Sequence, residues 1–321
     1  MFGNPPRSVI IDSTHSKIFE EPSYEVEKIY EYITWVLQLE QVGCKDWLTN
    51  KVDRSVTGRV AQQQTVGELQ LPLSNVAVVA LDYTGQSGIA TAIGHAPIAG
   101  LIDERNGSIL SIAEALTNIM WAPIEGGLRG VSLSANWMWP ARQNGEDARL
   151  YRAVEAASNF ALQLGINIPT GKDSLSMTQK YPDGKMVYAP GTLIVSAAGE
   201  VYNIRKVVTP AVLPDADSIL IYVDMSLAPL SLGGSALGQV LNKIGGKTPT
   251  VKDPAYFANV FNAIQLLLHE EKIMAGHDIS AGGLITTLLE MNFPNTRGGM
   301  EIDLNSLPEK DWVKILFSEN P

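Results

Sequence analysis

Glu114 and Asn118 stand four residues apart in an otherwise apolar segment, and on a helix that spacing points both side chains to one side. A carboxylate and an amide oxygen are hard donors, suited to Mg²⁺ rather than to a soft metal. The spacing also suits a solvated polar face, but Ile112, Ala113, Leu116, Ile119 and Met120 leave little of this helix polar. A second cluster, His277-Asp278-Ile279-Ser280-Ala281-Gly282-Gly283, sits directly before a helical pattern. There Ser280 is placed to cap the helix and turn backbone N–H groups toward an anion, with Asp278 holding a cation against it. An ordinary capping turn with a Gly-Gly hinge accounts for the same residues equally well. His277 reads as a packed or hydrogen-bonding residue, because no second His stands at metal spacing, and His15, His95 and His269 form no catalytic pattern.

Two further segments carry polar groups. Gly171-Lys172-Asp173-Ser174 ends like a P-loop, but the first Gly is missing at the required spacing and Asp173 interrupts it. Lys172 remains a point charge that could face phosphate with Ser174 assisting, or part of a plain turn between helix and strand. Asn136, between Ala135 and Trp137-Met138-Trp139, lies at a strand end where the two Trp either wall a pocket for a heterocycle or join the core. Gly233 to Gly238 allow close approach to a ligand and equally suit a helix start, and Asp53 to Gly58 reads as a surface loop.

Regular elements must position these groups. Apolar residues three and four apart predict helices over 24–39 (Val26, Ile29, Tyr30, Ile33, Val36, Leu37), 108–121 and 147–164 (Leu150, Val154, Ala157, Ala161, Leu164), the last stopped by Gly165. A helix carrying Phe257, Val260, Phe261, Ile264, Leu267 and Leu268 is predicted further on, and another from about Ala281. Short apolar runs predict strands at 76–81, 131–134, 193–197 and 219–223, the first buried on both faces, and the ending Val313 to Pro321 reads as a strand cut off. Residues 46–67 read as a polar stretch. The prolines of 207–214 mark a boundary, so we expect an α+β (mixed α/β) chain: an arm and helix (1–44), a first domain (45–210) and a second (211–321).

Composition narrows the function classes. The chain has 321 residues, enough to bury a core without staples. Its formal charge of −10 is the wrong sign for a nucleic-acid binder. An acidic protein that handles phosphorylated small molecules commonly does so through Mg²⁺. Cys44 is the one cysteine and can form no internal disulfide, which fits a reducing cytoplasm. No export signal opens the chain, and no apolar run is long enough to cross a bilayer.

Asn50 to Gly58, Val60 to Gln64, Ala113 to Asn118, Ala135 to Trp139, Gly171 to Met177 and Gly276 to Gly283, in this order, resemble the large form of phosphoribosylformylglycinamidine synthase, of purine biosynthesis. The resemblance runs from about residue 40 to the end and covers the second of two tandem, aminoimidazole ribonucleotide synthetase-like halves. It implies an ATP-binding-type domain followed by a truncated domain of the same superfamily, with the first half and the glutamine amidotransferase domain absent. Cys44 does not replace that domain's Cys-His-Glu triad. Carried over by position, Ser74 and Ser280 would contact ATP or ADP, while Asn75, Glu114, Asn118 and Asp278 would hold Mg²⁺ on its phosphates. Some members carry Asp where this chain has Asn75. In the family this nucleotide is thought to be structural, with turnover at the pseudo-symmetric site, to which Asn136, Lys172 and Ser174 would lend walls. The implied reaction is a carbon–nitrogen ligation: ATP- and glutamine-dependent conversion of formylglycinamide ribonucleotide to its amidine. The implied partners are that substrate, the rest of the polypeptide and, through the face left by the missing half, a second copy. A selenophosphate synthetase or thiamine-phosphate kinase relative, or a non-catalytic nucleotide-binding module, are the alternatives.

Overall fold

A computed structural model describes residues 18–49, 58–213, 215 and 217–321. His15, most of the N-terminal arm and all but Gly58 of the Asn50–Gly58 segment lie outside the described residues. The helices are α1 (Ile29–Leu37), α2 (Asp46–Thr49), α3 (Pro97–Ile102), α4 (Glu104–Ile119), α5 (Glu146–Leu164), α6 (Ala236–Val240), α7 (Pro254–His269), α8 (Gly283–Asn292) and α9 (Trp312–Phe317). The strands are β1 (Val60–Gln62), β2 (Thr65–Val66), β3 (Leu71–Pro72), β4 (Val76–Ala80), β5 (Gly88–His95), β6 (Val131–Met138), β7 (Asn167–Ser174), β8 (Thr178–Lys180), β9 (Met186–Tyr188) and β10 (Thr192–Val201).

Six strands form one sheet in the order β1-β4-β5-β10-β6-β7, while β2-β3 and β8-β9 are small ribbons. Every neighbour in the large sheet is antiparallel except β6 and β7, which run parallel because α5 carries the chain back between them. β5 alternates strictly between buried and exposed residues from Gly88 to His95, so one face is covered and the other is open. β4 follows the same pattern, with Val76 and Val78 buried and Ala77 exposed, in place of a run buried on both faces. An apolar run does not by itself say how many layers will cover it.

The covered face carries α4 and α5. α5 is stopped by Gly165 at φ +70°, a left-handed position that glycine takes without strain. Its buried stripe is Ala153, Ala156, Ala157, Phe160, Ala161 and Leu164, leaving the predicted Val154 exposed. α4 starts four residues before the expected Ser108, where Asp103 accepts from Arg105 and Asn106 N–H. In α1, Tyr32 and Val36 are buried and Tyr30 faces out. The main core is continuous with α7: Phe257 meets Phe160 edge-to-face with centroids 6.1 Å apart, and the buried Gln265 joins Met120 O and Ile124 N–H at 2.6 and 2.8 Å.

Three expectations past residue 210 fail. Ile219–Val223 is no strand: none of its residues has a ladder partner among the described residues, and Ile219 is 82% exposed. A β-branched run becomes a strand only where a neighbour completes its hydrogen bonds. The expected terminal strand is helix α9, started by Asp311, which accepts from Val313 and Lys314 N–H. Ser280 caps nothing, because α8 begins at Gly283 behind Gly282, whose φ of +96° places it in the left-handed region. The stretch 46–67 also contains α2, β1 and β2.

Candidate functional site

β4 pairs with β5 only up to Ala92, opposite Val76, whereas β10 follows β5 as far as His95. Among the described residues one edge of Ile93–His95 is thereby left without a strand, and its backbone groups need partners. Side chains of α4 supply them: Glu114 Oε2 accepts from His95 N–H at 2.6 Å, and Asn118 Nδ2 donates to Ile93 O at 2.8 Å. Gly94 makes this approach feasible, since a Cβ there would stand 2.2 Å from Ala115 N. The i, i+4 pair therefore points toward the place where β4 has left the sheet.

The 276–283 turn meets the chain just before β4. Asn75, the residue before β4, donates from Nδ2 to Asp278 Oδ1 at 2.9 Å. His277 lies between two carboxylates, with Nδ1 3.2 Å from Asp278 Oδ1 and Nε2 2.9 Å from Glu290 Oε2. With an acceptor on each nitrogen, both donate and the ring is cationic. Burial opposes that charge, but the bonds to Asp278 and Glu290 outweigh it and push the imidazole up to about 10. For Asp278, burial is likewise outweighed by His277 and Asn75, and its carboxyl is held below the usual range. Thr287 Oγ1 fixes the turn by donating to Asp278 O at 3.0 Å.

Two oxygens remain unsatisfied. Among the described residues Asn118 Oδ1 and Asp278 Oδ2 are buried without a hydrogen-bond partner, which costs the desolvation of each oxygen. Burial, with the charges of Asp278 and Glu319 added, pushes Glu114 up to about 8 despite the bond from His95. Orphaned hard oxygens and a destabilised carboxylate fit a divalent cation. Among the described residues no three His, Cys, Asp or Glu form a metal cluster, so such a cation would draw on the amide oxygens too. Glu114 and Ser280 line one pocket, together with His95, Gly233, Gly234 and Glu319. Ser74 is turned onto its own backbone, Oγ donating to Val76 O at 3.0 Å.

The other group of expected residues lies elsewhere. Asn136 is on β6 and Lys172 and Ser174 are on β7, within a strand rather than a turn, and Lys172 Nζ donates to Ser174 Oγ at 2.7 Å. Register places His95, Ile194, Asn136 and Lys172 in one row across β5, β10, β6 and β7. Lys172 is thus three strand spacings, roughly 14 Å, from His95, and outside the Glu114 pocket. Trp139 walls no pocket: it is 1% exposed, its Nε1 donates to Glu146 O, and Arg149 lies 5.4 Å over its ring. Sequence reasoning missed Glu290 and Glu319, which are brought in from distant segments with no local signal.

Residues 44–200 match the domain family described as FGAR-AT PurM_N-like domain, and residues 217–321 match AIR synthase related protein, C-terminal domain. The chain is 47% identical to the probable phosphoribosylformylglycinamidine synthase, chloroplastic/mitochondrial, of Arabidopsis thaliana, over 88% of this chain and 20% of that protein. It is 46% identical to the phosphoribosylformylglycinamidine synthase of Dictyostelium discoideum (90% and 22% covered) and 42% to that of Homo sapiens (91% and 22%). It thus spans about a fifth of the length of these relatives. Its fold is similar to that of T. maritima PurL complexed with ATP, with a TM-score of 0.56 at 14% identity, over 92% of this chain and 42% of that one. With two domain matches in tandem and these relatives along most of its length, the chain belongs to the phosphoribosylformylglycinamidine synthase family.

Proposed function

We propose that this chain is the part of a phosphoribosylformylglycinamidine synthase that binds ATP or ADP with Mg²⁺. The observation that supports the reading is that Asn75 bonds Asp278 while Glu114 and Asn118 bond the end of β5, with the Asp278 charge acting on Glu114 and with Asn118 Oδ1 and Asp278 Oδ2 buried without a partner among the described residues. These four residues would hold the cation, Ser280 would meet the nucleotide from the pocket wall, and Ser74 would contact it after releasing Val76 O. Bound there, Mg²⁺ supplies charge neutralisation for phosphate oxygens among carboxylates. His277 would keep Asp278 ionised, and Glu114 would lose its proton to serve as a ligand. The division at 1–44, 45–210 and 211–321 remains our domain assignment.

The activity belongs to the larger polypeptide. An amide oxygen is a poor leaving group, and phosphorylation by ATP makes it a good one for displacement by ammonia from glutamine. Asn136, Lys172 and Ser174 stand on the open sheet face, where they would wall the site of formylglycinamide ribonucleotide with the rest of the enzyme. Cys44, exposed and free, agrees with a cytoplasmic setting. No helix among the described residues is long and apolar enough to cross a membrane.

Calorimetric titration of ADP with and without Mg²⁺ tests the nucleotide reading. Mg²⁺-dependent uptake is expected, and the double variant Glu114→Ala/Asp278→Ala should weaken it by more than about a hundredfold, two lost charged ligands at ~1.5–3 kcal/mol each. Undiminished uptake by that variant would sink the reading. Amidine formation from ammonia by the isolated chain would instead refute its role as one part of the active enzyme.

A further inference from the structure

α9 ends at Phe317, and the chain then turns through Ser318 to Pro321. This tail is anchored by its other residues. Met225 N–H donates to Pro321 O at 3.0 Å. Asn320 accepts from Ser231 N–H at 3.3 Å, and its amide donates to Ser226 Oγ at 3.2 Å and to Pro229 O at 3.3 Å. None of these bonds uses the Glu319 side chain.

Glu319 instead reaches two turns at once. Its Oε1 accepts from Ala236 N–H and from Gly282 N–H, each at 2.8 Å. Ala236 opens α6 after the glycine turn 232–235, and Gly282 closes the turn that bears Asp278 and Ser280. Both turns are packed with no room to spare: a Cβ at Gly234 would come within 2.7 Å of Ala99 Cα, and one at Gly283 within 2.7 Å of Leu316 O. Among the described residues no other hydrogen bond joins the two turns. Both contribute to the pocket wall, Gly233 and Gly234 from one turn and Ser280 from the other, with Glu114 in the same lining. Burial pushes the Glu319 carboxyl up to about 7, against the pull of its two N–H donors, so the group is held there at a cost in solvation.

We infer that Glu319 is a positioning residue: one carboxylate oxygen clamps the 278–283 turn to the glycine turn and so sets where Ser280 stands on the pocket wall. Its consequence for ligand binding rests on the nucleotide reading above; the clamp itself does not. Without it, two backbone N–H groups lose their acceptor and the turns can separate, while Asn320 and Pro321 still hold the tail.

The test compares Glu319→Ala and Glu319→Gln in the 321-residue chain by amide hydrogen exchange and by Mg-ADP titration. The Ala variant should raise exchange about tenfold or more in peptides covering 233–237 and 279–284, leave α4 and α5 unchanged, and weaken Mg-ADP about tenfold. Glu319→Gln keeps an oxygen that accepts both bonds and should restore both readouts to within about threefold. Unchanged exchange in the Ala variant, or a Gln variant as damaged as the Ala one, would overturn the clamp. Loosened turns with unchanged or tighter Mg-ADP binding would overturn its role in setting the pocket, and tighter binding would make Glu319 a competitor of the ligand. If the parent chain takes up no Mg-ADP, the nucleotide reading falls, and the exchange comparison alone decides for or against the clamp.

Discussion

The acids around the pocket are held in opposite protonation environments. Asp278 is kept ionised by His277 and Asn75, whereas Glu114 and Glu319 are pushed up to about 8 and about 7, chiefly by burial. A carboxyl whose folded pKa is raised favours the fold while protonated, and that gain disappears as pH climbs from its unfolded value to its folded one. For Glu114 and Glu319 the window runs from about 4.5 to 7 or 8. His277, raised from 6.5 to about 10, contributes stability fully below 6.5 and loses it as pH rises through 10. All three act in one direction, so in chelator the melting temperature should be lower at pH 8.5 than at pH 5.5. Added Mg²⁺ should narrow that gap by neutralising the carboxylates. Thermal melts at the two pH values measure both effects, and a melting temperature that rises with pH would contradict the assignment. Of these groups Glu114, Asn118 and Asp278 were visible from spacing and residue type. The His277–Glu290 pair was not, because His277 and Glu290 are matched by the turn and α8 packing together rather than by any repeat in the chain.

At the level of elements, the contact between α4 and β5 decides whether Glu114 and Asn118 reach the strand edge at all. Gly94 is a point of close approach, with no room for a side chain against Ser111 O and Ala115 N. Gly94→Ala should therefore destabilise the chain by about 1–3 kcal/mol, the usual range for overpacking. It should also weaken Mg-ADP uptake, because displacing α4 moves Glu114 and Asn118 together. Denaturant melts and calorimetry would show this, and an unchanged affinity would mean that α4 tolerates the shift. Long periodic segments were legible beforehand: α5 and its Gly165 stop follow from local chemistry alone. Ile219–Val223 and α9 were misread for a reason of scale, since strand pairing is a non-local choice and a short apolar run suits strand or helix equally.

For the whole molecule, the open face of the six-stranded sheet is the largest question. Ile89 and Ile93 are 44% and 59% exposed on it, on the same face as Asn136 and Lys172 but in other rows of the ladder. Exposed apolar residues on an uncovered sheet face offer a surface to a partner, and in the isolated chain a second copy is the available one. Light scattering should give twice the chain mass at high concentration, and Ile89→Lys/Ile93→Lys should return it to monomer, the two added charges opposing burial of the face. A strict monomer before mutation would remove the case for self-association. The chain by itself determined residue types and local periods: hard oxygen donors with no thiolate or imidazole set, helices at a 3.6 spacing, and a charge balance unsuited to nucleic acid. Tertiary structure decided which of those donors meet. Asn75, Glu114 and Asp278 are far apart in sequence: Asn75 meets Asp278 just before β4, and Glu114 meets the end of β5 that β4 leaves unpaired. The same step left Lys172 three strands away, since sheet order is set by long-range backbone pairing that no local pattern encodes.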